Sequence, residues 1–167
     1  MKENVLIYFD LITSLRTTQE VASLVSEIDT FLLTFLKSEK TSAEKALSSI
    51  SVGSAKKIMQ AFSKGNFDIN NKKAVVNFFK TLKELLKKYK VIKLVLAFDP
   101  SNKTIENIHN FVKNIVGIGY ILDIEISEDV LGGAAIIFNG KYYDFTLKKS
   151  IENTFVNKNE EIMKFVD

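Results

Sequence analysis

Apolar side chains recur at three- and four-residue steps up to about Tyr89, and beyond Lys90 they change to near-continuous or alternating runs. The first spacing is that of helices with one buried face, and the second is that of strands. The pattern predicts a helix over 3–15 carrying Leu6, Phe9 and Ile12, with Asp10 beside them. A second helix runs to about Lys37, opened by a capping box of Thr17 and Glu20. Its apolar positions Val21, Leu24, Val25, Ile28, Phe31, Leu32, Phe35 and Leu36 form a stripe wide enough to be buried against more than one neighbour, which predicts a central helix. Thr41 and Glu44 repeat the capping spacing before a short helix over 43–50. Gly53 separates that helix from one over 55–64, closed by Gly65. Asn70 or Asn71 then caps the longest helix, 72–89, with Val75, Phe78, Phe79, Leu82, Leu85, Leu86 and Tyr89 facing inward.

The run over 91–98 (VIKLVLAF) reads as a buried strand closed by Asp99-Pro100. Helical spacing returns over 101–116 and ends at Gly117; an alternating strand follows over 120–126. Strand, helix and strand within about 36 residues make a βαβ unit with parallel strands. Asn139-Gly140 between 134–138 and 141–145 predicts a two-residue type I′ hairpin. Its register sets Phe138 opposite Lys141, Ile136 opposite Tyr143 and Ala134 opposite Phe145. A last helix follows Asp144–Thr146, with Leu147, Ile151 and Phe155 on its apolar side. The expected fold class is α+β: an all-α helical bundle over 1–89, a small α/β domain over 90–157 and a tail over 158–167.

Composition narrows the function. The 167 residues contain no cysteine, which excludes thiol catalysis, Cys-ligated zinc and iron–sulfur clusters. Asp10 interrupts the first apolar patch, so 1–15 is not read as a secretory signal, and no run reaches the length of a membrane span. A cytosolic or peripheral protein is expected. The formal charge is only +3, but eight lysines lie between Lys72 and Lys93 against the single acid Glu84. They make one basic helical face, read as a solvated surface, a contact for an acidic protein, or a site for nucleic acid or an anionic surface.

Catalytic residues are hard to find. His109 sits mid-helix without a sequence partner, which favours a structural role. Asp123, Glu125, Glu128 and Asp129 suit the solvent side of an edge strand better than a cation site. Gly117-Ile-Gly119 and Gly132-Gly133 do not continue into a phosphate-binding motif. No catalytic residue, metal or cofactor is assigned.

The segment 91–153 resembles the C-terminal part of the F-type ATP synthase delta subunit, the oligomycin sensitivity-conferring protein of mitochondria. The most specific piece is DVLGGAAIIFNGKYYDFTL (129–147), similar to the family's acidic residue, aliphatic-Gly-Gly, strand, small turn and Asp-aromatic-hydroxyl-Leu ending. Asp129, Leu131, Gly132, Gly133, Gly140, Asp144 and Leu147 occupy that signature. The segments 55–62 and 75–86 resemble the family's fourth and fifth helices, while its usual first-helix opening and sixth helix are missing. The resemblance implies a non-catalytic stator part on the cytoplasmic side of the membrane. It would join the N-terminal helices of the alpha subunit, through the helical module, to the C-terminal helix of the b subunit, through the C-terminal module. Candidate partner-binding residues are Val75, Phe78 and Phe79 in the first module and Ile151 and Phe155 in the second. The rival reading is a nucleic-acid or anionic-surface module built on Lys80, Lys83, Lys87 and Lys88.

Overall fold

A computed structural model describes residues 3–37, 42–65 and 67–154. Phe155, Thr41 and the tail 158–167 lie outside the described residues, as does the side chain of Leu6. The architecture is mixed, with helices and a four-stranded mixed sheet. The described residues separate into two units, divided between Lys90 and Val91.

Five helices make the first unit: α1 (Glu3–Thr13), α2 (Thr18–Leu36), α3 (Ala43–Leu47), α4 (Val52–Lys64) and α5 (Lys72–Leu86). Local chemistry sets their starts. Thr17, Ser42, Ser51 and Asn71 each accept a first-turn backbone N–H, at about 1 kcal/mol per cap. The Thr17–Glu20 box forms: Thr17 Oγ1 accepts the Glu20 N–H at 3.1 Å, and the Glu20 carboxylate reaches back to the Arg16 backbone N–H at 2.6 Å. Burial raises the pKa of Glu20, but its hydrogen bonds to Arg16 outweigh that and leave it below the usual carboxylate range.

Two helix starts differ from the sequence reading, and α3 and α5 end three residues earlier than read, at Leu47 and Leu86. The cap of α3 is Ser42, one residue past Thr41. Gly53 lies inside α4, because Ser51 supplies a cap that outweighs the helix cost of one glycine. Gly65 closes α4 as the sequence reading had it, and its smallness serves packing: a Cβ there would approach Ile7 Cδ1 to 2.8 Å.

The core of this unit is aromatic. Phe31, Phe35, Phe62, Phe78 and Phe79 are buried, each worth about 1.5–3 kcal/mol relative to exposure. Tyr8 stacks on Phe78 with centroids 4.7 Å apart, and Phe31 meets Phe79 at 5.1 Å. Tyr89, just beyond α5, donates its hydroxyl to the Ile12 carbonyl, tying the chain's exit to α1.

The second unit holds β1 (Lys90–Leu96), α6 (Asn102–Val116), β2 (Tyr120–Ile126), β3 (Gly133–Phe138), β4 (Lys141–Thr146) and α7, helical over 147–154. Strand order is β2-β1-β3-β4. The β1–β3 and β3–β4 pairs are antiparallel. The Ser127 N–H donates to the Leu96 carbonyl at 2.9 Å, which sets the C-terminal ends of β2 and β1 side by side and makes that pair the parallel one. The hairpin has the register its sequence predicts, Phe138 opposite Lys141, Ile136 opposite Tyr143 and Ala134 opposite Phe145. Asn139 and Gly140, at φ 50° and 73°, make its turn. Ile105, Ile108, Val112 and Val116 of α6 pack with Ile92, Leu94, Leu96 and Leu122 on one sheet face.

Candidate functional site

Four of the signature residues, Gly132, Gly133, Asp144 and Leu147, meet at one junction in the second unit, while Gly140 lies in the hairpin turn at the other end. Gly133 pairs with Thr146 where the hairpin closes. A Cβ on Gly133 would lie 2.3 Å from the Phe145 carbonyl oxygen, and its φ is +79°, so close backbone approach and left-handed geometry both demand glycine. The Leu147 N–H donates to the Gly132 carbonyl at 2.9 Å, fastening the start of α7 to the entrance of β3.

The change from strand to helix is made by two side chains. Asp144 Oδ1 accepts the Thr146 N–H at 2.9 Å, and Thr146 Oγ1 accepts the Lys149 N–H at 3.3 Å in the manner of a helix cap. The hydrogen bonds from Thr146 hold the Asp144 carboxyl below its usual pKa. On the segment leading in, the Asp129 N–H and the Val130 N–H donate to Ser127 in a turn. Leu131 then projects outward, 73% exposed.

Around this junction apolar side chains face solvent. Leu131, Phe145, Leu147 and Ile151 are all exposed, with Leu147 and Ile151 one helical turn apart on α7. Tyr143 and Phe145 lie on the α6 side of the sheet, yet they are absent from the cluster that α6 buries. An exposed apolar array of this kind on a rigid scaffold is suited to docking another protein surface and supplies no groups for bond-making.

The other candidates fall elsewhere. Val75, Phe78 and Phe79 are at most 1% exposed and form the core of the first unit, which corrects their assignment as partner contacts: the inward stripe of α5 is consumed by packing within the unit. Ile151 is exposed, and Phe155 lies outside the described residues. His109 is buried, with Nε2 3.3 Å from the Tyr120 carbonyl oxygen. Glu125 is engaged by Lys93 at 2.5 Å across the β1–β2 pair, and its hydrogen bond raises the Lys93 pKa. Among the described residues no three acidic or histidine side chains gather as a metal site. Again among those residues, no helix is long and apolar enough to cross a membrane.

Of the stripe read on α2, Leu24, Ile28, Phe31 and Phe35 are buried and Val21, Val25 and Leu32 half-buried, but Leu36 is 51% exposed. The width of the stripe carried that signal: more apolar positions were present than four buried core residues needed.

Two comparisons bear on this site. The family model described as ATP synthase delta (OSCP) subunit matches residues 13–155. None of the curated proteins matches the chain.

Proposed function

The chain belongs to the ATP synthase delta (OSCP) subunit family, and from that premise we propose that it joins the catalytic alpha/beta head to the b-subunit stalk. A subunit of this family is a structural part of the peripheral stalk, not a catalyst, and serves ATP synthesis and ion transport from within a membrane-associated complex. In the proposal the second unit takes the C-terminal helix of the b subunit on the array around Leu131, Leu147 and Ile151. The first unit faces the N-terminal helices of the alpha subunit.

The observation that carries the reading is the rigid junction at Gly133 beneath uncovered apolar side chains. A joint under load needs docking residues held by backbone that cannot slip, and burial of large apolar anchors supplies affinity with little dependence on salt. Leu147 is both fastened through its N–H and exposed through its side chain.

The test is co-purification. Tagged full-length chain, expressed with the remaining subunits of its ATP synthase, should draw down both the alpha/beta head and the b subunit. Recovery of neither overturns the reading.

A further inference from the structure

We infer that the free chain pairs with a second copy of itself along the outer edge of β4, the two sheets joining about a two-fold axis at Tyr143. This edge shares only Phe145 with the array at the hairpin junction, and its pairing does not depend on the stator reading.

The strand order β2-β1-β3-β4 leaves β4 hydrogen-bonded on one side only. A two-residue loop closes on a hydrogen-bonded pair, here Phe138 with Lys141, and such pairs alternate along an antiparallel ladder. Lys141, Tyr143 and Phe145 therefore turn their backbone groups to β3, while Tyr142 and Asp144 turn theirs outward. Among the described residues neither of those two backbones has a partner on the outer side. Natural sheets blunt such an edge with a proline, a bulge, an inward charge or a covering loop. β4 contains no proline and pairs residue for residue with β3 over its whole length, and 141–145 are all exposed. Aromatic rings stand on both of its faces, Tyr143 and Phe145 on the α6 side and Tyr142 on the other, each open to solvent.

A second copy fits because the edge is complementary to itself. A two-fold axis normal to the sheet keeps the faces of the copies in common, so residues of the same face stand opposite one another. With the axis at Tyr143, Tyr142 of each copy meets Asp144 of the other. Both carry outward N–H and C=O groups, so each of these pairs exchanges two main-chain bonds. Tyr143 then faces Tyr143, and Lys141 faces Phe145, a cation beside an aromatic ring. An axis at Asp144 would oppose two carboxylates, which disfavours that register. An axis at Tyr142 would draw the turn residues Asn139 and Gly140 into the ladder, where their positive φ does not fit. The edge is about 20 Å long, small for an interface, so the pairing is reversible and grows with concentration.

The test is sedimentation velocity of the full-length chain from micromolar to submillimolar loading, which should show a monomer–dimer equilibrium. Tyr142→Pro removes an outward N–H and leaves the bonds to β3 in place, and association should weaken about tenfold or more. Tyr143→Lys sets like charges against each other at the axis and should do the same, as should Tyr143→Glu. Mixing the Tyr143→Lys and Tyr143→Glu chains should restore a dimer, because only a position that opposes itself lets the two charges meet; that recovery also shows both variants folded. In the unchanged chain, amide exchange at Tyr142 and Asp144 should slow as concentration rises, while that at Tyr143, already bonded to β3, stays constant. A chain that stays monomeric at every loading overturns the inference. So does a dimer that survives Tyr142→Pro and Tyr143→Lys, or a mixture of the two charge variants that stays monomeric.

Discussion

The two units are of similar length but divide their apolar residues differently. Among the described residues the first closes a core of 18 buried hydrophobic residues from Tyr8 to Leu86 and leaves four large apolar side chains exposed, Phe9, Leu33, Leu36 and Val52. The second leaves twelve exposed among its described residues, from Val91 to Ile151. A helical unit can bury a stripe from every member against the others, whereas one helix on one face of a four-stranded sheet leaves the edge strand uncovered. Stability is therefore concentrated in the interior of the first unit. In the second it rests on a few buried aliphatics and on backbone geometry at the hairpin junction.

Substitutions should separate the two regimes. The largest effect belongs to the aromatic core: Phe79→Ala should cost about 3–5 kcal/mol, read as a lower urea midpoint for loss of helical circular dichroism. Next is Gly133→Ala, where strain at positive φ and collision with the Phe145 carbonyl should cost about 2–4 kcal/mol. Hydrogen exchange should then accelerate in β3 and β4 while α5 keeps its protection, and uniform acceleration would remove the distinction between units. Thr146→Ala removes the cap of α7 and should cost about 1 kcal/mol, seen as faster exchange over 147–154.

A pH slope gives a further reading of the first unit's interior. Burial pushes the Tyr89 phenol from 10.0 to about 12, so the folded state favours the neutral form. The stability this contributes is complete below pH 10 and is lost as pH rises towards 12. Thermal melts across that window should fall less steeply for Tyr89→Phe than for the unchanged chain.

Much of the fold was legible where a local rule governs. Asn139-Gly140 specified turn and register together, because two consecutive residues at positive φ admit few alternatives. Thr17 and Glu20 announced a helix start that formed as read. Assignments failed where the outcome depended on which neighbour arrives. The stripe of α5 was read as facing inward and also, through the family resemblance, offered as partner contacts; packing within the unit keeps the first reading for Phe78 and Phe79. The outer edge of the α2 stripe was read as burial, although Leu36 faces solvent. At the junction the sequence marked Gly132, Gly133, Asp144 and Leu147 but not why they occur together. The reason is a clearance between β3 and β4 and a fastening at Leu147, both fixed by strand pairing.

The most direct test of the central claim is calorimetric titration of the full-length chain with the C-terminal helix of the b subunit from the same ATP synthase, at low and high salt. The account predicts saturable binding that changes little with salt and weakens about tenfold in the Leu131→Ser, Ile151→Ser variant, whose thermal melt stays that of the unchanged chain. Failure of the unchanged chain to bind, or undiminished binding by the variant, would contradict it.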